Sequence, residues 1–415
     1  MNNEPSQRRL HKMNSSDSAH QFMLPPTVAA IEFMTFHHEV LAAFCKHTIE
    51  LNINTLVISP STGIQKAIGR FAADSFEQLK EIARLNKTEL SLIISHNAKE
   101  IVTSIMKADA VFIGTVPPSP SSSTRRQANN TYSRHEEMIS IVKRALKQNK
   151  LIYIVIHKPQ DDAAQLVGSL DPDECKRVST IYLSRETANF CKQLFPNRFR
   201  SELIMPTIGL LDSSSNDAGV ASSAGTSMVV AGEISSKRRH YASLATLHTN
   251  RKWLRSQGII IRIIGRIKLE SWREKILRLC GLPPKWLFFV KYPSLLPLWL
   301  DGCLDLSMTR YSKVSDRALA DAIVSSACLL DLKLKHYSDC GQTTGAIGLA
   351  MTHQKPLIDL EAITGIIPNN QQTPALSSLH QLIKKETKDL IAEKEALVEK
   401  FRQQLQKDLT LAISL

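Results

Sequence analysis

Short apolar segments alternate with amphipathic segments along most of the chain, and this alternation constrains the fold more than any other feature. Residues 28–34, 55–59 and 89–95 have the length and composition of buried strands, and amphipathic stretches such as 39–51 and 98–106 follow them. Strands that take turns with helices predict a parallel sheet that is covered by helices on both faces.

A low-complexity segment rich in Ser, Gly and Ala divides this pattern into two sets. Residues 211–227 read LDSSSNDAGVASSAGTS, a composition typical of flexible linkers. The alternation restarts after it, with strands expected at 228–231, 259–264, 287–292 and 328–332. We therefore predict an α/β fold of two Rossmann-like parallel-sheet domains that face a cleft.

These patterns also set the expected domain boundaries. Residues 1–25 are polar and predict a disordered tail. The first domain is expected at 26–210, the linker at 211–227 and the second domain at 228–375. Apolar residues three, four and seven positions apart predict amphipathic helices within 376–415, packed back across both domains, with a coiled-coil dimer as the alternative.

Charge and cysteine usage narrow the class of protein. The net charge of +13, from 52 Lys and Arg against 39 Asp and Glu, favours an anionic partner such as a nucleotide, nucleic acid or an acidic membrane face. The seven cysteines are scattered and form no C-x-x-C motif, which argues against a disulfide framework and a zinc site. A cytoplasmic protein with no signal peptide and no transmembrane segment is expected.

One stretch in the second set has the composition of a phosphate-binding turn. Residues 337–360 read YSDCGQTTGAIGLAMTHQKPLIDL, which predicts a polar turn, a helix from about Ala346 and a short strand. Thr343, Thr344 and Gly345 lie where backbone N–H groups, hydroxyls and the positive end of the helix could surround a phosphate. An ordinary helix start capped by Thr344 is the structural alternative.

A basic segment follows the first strand of the same set. Gly232 ends that strand, and Lys237, Arg238 and Arg239 come a few residues later. Bases are unfavourable at the start of a helix unless an anion lies there, so the segment favours an anion site over a solvated basic run. Together with Thr343 and the neighbouring turn it predicts a diphosphate clamp.

At this point the second half resembles the nucleotide-sugar domain of GT-B fold glycosyltransferases. The resemblance lies in Gly232, Lys237 and Arg238 after the first strand, in the IIG strand that ends at Gly265, and in the closing GAIGLAMTHQKPLI. It covers about 130 residues well, whereas the first half is similar only in its α/β pattern. The resemblance implies a metal-independent transfer of a sugar from a nucleoside-diphosphate sugar, with no further cofactor.

The chain departs from the family pattern at two positions. Many retaining members carry two glutamates eight positions apart in this region, where this chain has Gly341 and Leu349. Other members use hydroxyls and backbone groups at the same turn, which Thr343 and Thr344 would supply. Asp339 is the nearest remaining carboxylate and is a candidate catalytic contact to the donor sugar, with a capping role as the alternative.

The first domain would bind the acceptor, which the sequence leaves open as a glycan, a lipid or a protein. His157 follows the strand IYIVI and is the preferred candidate for a base or a sugar-hydroxyl contact; His37 and His38 follow the first strand in the same way. The segment from Asp171 to Asp173 resembles the metal-holding D-x-D of the other large glycosyltransferase fold, but its proline predicts a turn. No metal ligands are therefore assigned.

Two other classes of function remain open. A non-catalytic basic module that binds nucleic acid or an anionic membrane surface would explain the missing glutamates and the charge of +13. A low aromatic content of 6% counts against stacking on nucleic-acid bases. A nucleotide-sugar epimerase would need a pair of carboxylates in the cleft, and no convincing pair is present in the sequence.

Overall fold

The computed structural model describes residues 25–33, 38–59, 75–94, 98–118, 128–206, 226–235, 240–332, 345–366 and 376–413. The strands in these segments form two separate sheets, and each strand pair is parallel. The predicted fold class of two parallel-sheet α/β domains is confirmed.

The first sheet has the strand order β3-β2-β1-β4-β5-β6-β7. The order reverses at β1, because β2 and β3 lie on one side of it and the later strands on the other. In open parallel sheets, ligands bind outside the carboxyl ends of the strands at such a reversal. The strands are β1 (Thr27–Ile31), β2 (Asn54–Ser59), β3 (Leu90–Ile94), β4 (Ala110–Ile113), β5 (Leu151–Val155), β6 (Val178–Tyr182) and β7 (Ser201–Ile204).

Helices cover both faces of this sheet. Strand β5 is buried along its whole length; Ile152 and Ile154 belong to one apolar cluster, and Tyr153 and Val155 belong to another. Successive residues of a strand point to opposite faces, so the two clusters lie on the two sides of the sheet. The helices are α1 (His38–Glu50), α2 (Glu77–Leu85), α3 (Ala98–Lys107), α4 (Ala128–Lys147), α5 (Ala164–Ser169), α6 (Pro172–Cys175) and α7 (Arg185–Leu194).

The second sheet has the strand order β10-β9-β8-β12-β13, and β11 pairs with the end of β9. Here the order reverses at β8, between β9 and β12. Its strands are β8 (Ser227–Ala231), β9 (Ile260–Arg266), β10 (Leu304–Asp305), β11 (Thr309–Arg310), β12 (Cys328–Asp331) and β13 (Leu357–Asp359). Each domain therefore has one topological switch point, at β1/β4 in the first and at β8/β12 in the second.

The helices of the second domain include one that the sequence pattern misassigned. A 3₁₀ helix, Tyr241–Asn250, leads into the first of them. The helices are α8 (Arg251–Ser256), α9 (Trp272–Leu279), α10 (Pro284–Lys291), α11 (Leu296–Leu300), α12 (Asp316–Val324), α13 (Gly345–His353), α14 (Leu360–Ile366) and α15 (Leu376–Ile413).

The strand predicted at 287–292 is wrong, because this segment lies in α10 and the residue after it. Pro284 occupies the first turn of α10, where its fixed φ suits a helix and its missing N–H costs no hydrogen bond. Leu287, Phe288 and Phe289 are all buried. A short apolar run of this kind is compatible with a buried strand and with a buried helix, so periodicity alone could not decide between them.

The C-terminal segment forms one 38-residue helix, α15, that packs on both domains. Its first part places Leu379 in the main apolar cluster of the second domain, and Leu390 packs on a second cluster there. Its last part places Phe401, Leu405 and Leu409 in a cluster with the first sheet. The helix therefore joins the cores of the two domains.

Polar contacts fix the last turns of α15 on the first sheet. Asp408 is buried and accepts a 3.1 Å hydrogen bond from the hydroxyl of Tyr153 in β5. Arg200, just before β7, lies 3.5 Å from the same carboxylate. Arg402 pairs with Glu50 at the end of α1. These contacts set the position of the helix along its axis as well as its distance from the sheet.

Candidate functional site

The second sheet brings the two halves of the predicted clamp to adjacent strands. Strand β8 leads into the segment that contains Lys237 and Arg238, and β12 leads into the segment that contains Asp339, Thr343 and Thr344. The two strands pair directly as parallel neighbours. Residues 236–239 and 333–344 lie outside the described residues, so the structure positions the ends of both segments and not these five side chains.

The ends of the basic segment are held at this switch point. Ser235 is fully buried, and its hydroxyl donates a 2.7 Å hydrogen bond to Oε1 of Glu270. On the other side of 236–239, the backbone N–H of His240 donates a 2.9 Å hydrogen bond to the carbonyl of Leu332, the residue after β12. The basic segment therefore starts after β8 and returns to the carboxyl end of β12. Gly345, the first residue of α13, follows the second segment directly.

Gly232 shapes the bend after β8. Its φ of 122° lies in a region that favours glycine, and its N–H is bonded to the carbonyl of Ile264 at 2.9 Å. Because that N–H is already engaged in the sheet, Gly232 would position a bound phosphate through the path of the chain and not by donating to it. Gly265 on β9 lies against it: a Cβ there would be 1.7 Å from the carbonyl oxygen of Gly232.

Two cations beside this bend share one carboxylate. Glu233 forms ion pairs with Arg266 at 2.8 Å and with Lys268 at 3.5 Å. The charge of these two residues is thus partly offset before any ligand binds. The bases that follow in the undescribed segment, Lys237 and Arg238, are the better candidates for an anion.

A buried ionic network supports the start of the basic segment. Lys291 lies 2.8 Å from Glu270 and 3.0 Å from Glu274, and its side chain is only 7% exposed. Glu274 also completes a capping box with Ser271 at the start of α9. Burial, with the Glu270 and Glu274 carboxylates nearby, raises the pKa of Tyr292 to about 12. The network locks β8, α9 and α10 together.

The switch point of the first sheet contains a buried carboxylate. Glu32 directly follows β1 and is 1% exposed. Its Oε2 accepts a 3.1 Å hydrogen bond from the hydroxyl of Thr115, which follows β4. A Cβ at Gly114 would lie 2.3 Å from the same oxygen, so the glycine makes room for the carboxylate. The acidic side chain is therefore built into the point where this sheet reverses.

His157 lies at the carboxyl end of β5, the strand that pairs with β4. Its Nε2 is 3.0 Å from the carbonyl of Gly114. A carbonyl oxygen only accepts hydrogen bonds, so Nε2 carries the hydrogen and Nδ1 is the nitrogen with basic character in the neutral ring. The structure thus brings the histidine chosen from the sequence to the same switch point as Glu32.

Asp162 fixes the backbone around this histidine. Its Oδ2 accepts hydrogen bonds of 2.8 Å from the backbone N–H groups of both His157 and Lys158. Burial raises the pKa of Asp162 to about 6, although these hydrogen bonds and the Lys158 charge act in the opposite direction. The carboxylate therefore ties the backbone of His157 and Lys158 to the segment 159–163 that follows them, and it positions His157 through its backbone.

The other residues singled out in the sequence lie at the starts of helices or outside the described residues. His37 lies outside the described residues, and His38 is the first residue of α1. Asp171 accepts a 2.7 Å hydrogen bond from the backbone N–H of Glu174 and caps the short helix α6, where the sequence predicted a turn. Asp173 is exposed and pairs with Lys176 at 3.8 Å.

The sequence pattern did not single out three residues near the two switch points: Glu32, Glu270 and Lys291. Glu32 could have been recognised, because a charged residue directly follows the fully apolar run VAAI. Nothing in the sequence indicates that Glu270 and Lys291 form a pair, since 21 positions separate them and only tertiary packing brings them together. Within the described segments, no group of three or more His, Cys, Asp or Glu side chains could hold a metal ion. In the same part of the chain, no helix is both long and apolar enough to span a membrane.

Comparison with sequence families finds no matching family model, and comparison with curated proteins finds no match either. Among solved structures, the chain is similar to HepE from Anabaena, crystallised with UDP and glucose. The identity is 10% and the TM-score 0.46, over 93% of this chain and 99% of HepE.

Two further structures show a likeness of the same degree. A UDP-glucosyltransferase from Polygonum tinctorium has 11% identity and a TM-score of 0.45, over 94% of this chain and 98% of its own. AviGT4, a glycosyltransferase involved in avilamycin A biosynthesis, has 11% identity and a TM-score of 0.44, over 93% and 98%. Because these TM-scores lie below 0.5, the description of the fold rests on the strand order and pairing of this chain.

Proposed function

We propose that this protein is a glycosyltransferase that moves a sugar from a nucleoside-diphosphate sugar to an acceptor. The supporting observation is the placement of the two clamp segments. The residues on either side of the basic segment are held at neighbouring strands of a topological switch point: Ser235 follows β8, and His240 is bonded to Leu332 after β12. The Thr/Gly segment leaves from the same strand, β12, and leads into α13. A diphosphate bound there would meet both segments.

Each part of the clamp has a distinct role in this proposal. Lys237 supplies a compact positive charge, and Arg238 supplies a planar fork for two phosphate oxygens. Thr343, Thr344 and the first turn of α13 at Gly345 contact the other side of the diphosphate.

The chemistry follows from these charges. The barrier lies in breaking the anomeric bond, and fixed positive charge stabilises the departing diphosphate in the transition state. Because Lys237, Arg238 and the end of α13 neutralise that charge, the proposal requires no metal ion and no further cofactor. Asp339, in the segment before α13, is the candidate contact to the donor sugar.

The acceptor would bind at the switch point of the first sheet. His157 and Glu32 both flank Gly114 there, and either could take the proton of an acceptor hydroxyl. Glu32 joins His157 as a candidate because its carboxylate is held at the carboxyl end of β1. The acceptor itself is proposed only by class, as a glycan, a lipid or a protein.

A binding assay with matched variants tests the donor site. We expect one of the UDP, GDP or ADP sugars to raise the melting temperature of the full chain by several degrees at saturating ligand. The double substitution Lys237→Ala/Arg238→Ala should abolish the shift. Lys384→Ala/Lys385→Ala, which removes the same charge from exposed positions of α15, should retain it. Nucleotide release in the presence of acceptor mixtures, measured with and without EDTA, tests the transfer and the metal independence.

The same assay separates the proposal from the basic binding module. The glycosyltransferase proposal would be contradicted if no sugar nucleotide raised the melting temperature of the unsubstituted chain, of the clamp variant or of its control. Salt-sensitive binding to generic nucleic acid or acidic vesicles in that case would favour the module. A thermal shift without nucleotide release would leave the donor site standing and contradict the transfer.

A further inference from the structure

Helix α9 exposes an apolar stripe to solvent. Trp272 is 67% exposed, Ile276 46% and Leu279 85%, and none of the residues of α9 is buried. Spacings of four and three residues place the three side chains on one strip of the helix, about 60° wide. Single exposed apolar residues are common in proteins, whereas three on one strip of an eight-residue helix form a contiguous patch of the kind that marks interaction sites.

The stripe cannot turn inward, because the opposite side of α9 is anchored. Leu277 packs against the apolar cluster of the second domain. Glu274 pairs with the buried Lys291 at 3.0 Å. The guanidinium of Arg278 lies 5.1 Å from the centre of the Tyr311 ring. The outward direction of the stripe is thus set by the fold.

Positive charges flank the stripe. Arg273 and Lys275 are both exposed, on either side of it. The one acidic residue of α9, Glu274, is directed toward Lys291. The neighbouring helix α10, which packs against α9, also exposes Trp286 at 40% and Val290 at 56%. The stripe and its two flanks therefore present tryptophan, aliphatic and cationic side chains together.

We propose that this surface, the α9 face (Trp272, Arg273, Lys275, Ile276 and Leu279), docks the protein on an anionic lipid bilayer. Apolar side chains flanked by Lys and Arg are the pattern of helices that lie in a membrane interface. Tryptophan favours the headgroup region, and bases are attracted to acidic lipids. The net charge of +13 adds a long-range attraction to the same surface.

A second copy of the chain fits this face less well. In a two-fold symmetric contact across the stripe, Arg273 and Lys275 of one copy would approach the same bases of the other. A stable protein interface also covers about 800 Å² on each partner, more than three side chains of an eight-residue helix provide.

Docking in this way would attach the domain that contains the proposed donor site to the bilayer. The start of α9 is tied through Glu270 to Ser235, the last described residue before the basic segment. The inference itself stands without the proposed function, because it rests on the surface of α9 alone.

Vesicle binding of the full chain tests the proposal with two matched pairs of variants. The chain should co-sediment with vesicles of phosphatidylglycerol and phosphatidylcholine, and far less with phosphatidylcholine alone. Ile276→Ser/Leu279→Ser should weaken binding by roughly tenfold or more. Leu85→Ser/Leu194→Ser, at positions that are 66% and 43% exposed in the first domain, should leave it unchanged.

A second matched pair of variants tests the contribution of the charged residues. Arg273→Glu/Lys275→Glu should weaken binding at least about tenfold, since each base near the surface contributes roughly fivefold. Lys384→Glu/Lys385→Glu changes the net charge equally on α15 and should have little effect. Equal binding by each variant and its control would overturn the proposal. The proposal would also be overturned if the chain did not bind acidic vesicles and instead formed a concentration-dependent dimer that Ile276→Ser/Leu279→Ser dissociates.

Discussion

The carbonyl oxygen of Gly232 occupies the space in which a side chain at Gly265 would begin, 1.7 Å from the ideal Cβ position. The two glycines lie at the paired ends of β8 and β9. Their close approach lets the chain bend after β8 and lead into the basic segment. The donor site that we propose therefore depends on the absence of a side chain on the neighbouring strand.

Gly265→Ala should destabilise the second domain. The added methyl group would overlap a backbone atom, which can move only if the strand ends separate, and overpacking of this kind costs about 1–3 kcal/mol or more. Urea unfolding measures the loss. Gly168→Ala is the control, because Gly168 lies in α5 with no atom within 4 Å of its Cβ position; it should be neutral or slightly stabilising. Equal effects of the two substitutions would contradict the close approach.

Lys291→Met should be strongly destabilising. It leaves Glu270 and Glu274, whose side chains are 18% and 14% exposed, without their cation. Removal of one partner from a buried pair costs about 3–5 kcal/mol in the free energy of unfolding. Lys176→Met, which breaks an exposed pair with Asp173, should cost less than about 1 kcal/mol. Urea unfolding measures both free energies. If Lys291→Met lowers the free energy of unfolding no more than Lys176→Met does, the buried network does not stabilise the domain as described.

Asp162→Asn should change how stability depends on pH. The pKa of Asp162 is about 6 in the folded protein and 3.8 is its ordinary value, so the folded state holds this proton more tightly than the unfolded state. Asp162 therefore contributes to the free energy of unfolding at low pH, and this contribution is lost as pH rises from about 4 to about 6. Above that pH the free energy of unfolding no longer changes because of this group. An amide at this position cannot titrate but can still accept from the backbone of His157.

The measurement compares the two proteins across this pH window. The free energy of unfolding of Asp162→Asn relative to the unsubstituted protein should rise by roughly 2–3 kcal/mol between pH 4 and pH 7. Other titrating groups are common to both proteins and cancel in the difference. A difference that does not vary with pH would show that the carboxyl group is not desolvated.

Leu405→Ala should weaken the attachment of α15 to the first domain. Leu405 is fully buried among residues of the first sheet, and truncation of a buried leucine costs about 2–5 kcal/mol. Leu411→Ala, on the same helix but 49% exposed, should cost less than about 1 kcal/mol. Unfolding in urea gives both values, and proteolysis within α15 should accelerate for Leu405→Ala alone. Similar values for the two variants would mean that α15 does not pack as described.

Much of the fold could be predicted from local pattern. Fully apolar runs such as β4 and β5 are buried on both faces, and such runs are typical of parallel sheets. Where the local signal was ambiguous, as in the apolar run of α10, the prediction failed. The short strands β10 and β11 have two residues each, too few for a periodic signal.

The sequence by itself determined the two α/β units, the glycines at their strand ends and the basic and Thr/Gly segments of the second unit. These are local properties, set by composition and by the backbone preferences of single residues. Only the tertiary structure decided which strand ends are neighbours. Pairing of β8 with β12 joins residues that are 100 positions apart in the chain, and pairing of β1 with β4 joins residues that are 82 positions apart. No local pattern encodes such pairings, because they arise from the packing of whole strands and helices. They place the carboxyl ends of β8 and β12 side by side and bring Glu32 against Gly114, while pairing of β4 with β5 brings His157 to the same glycine.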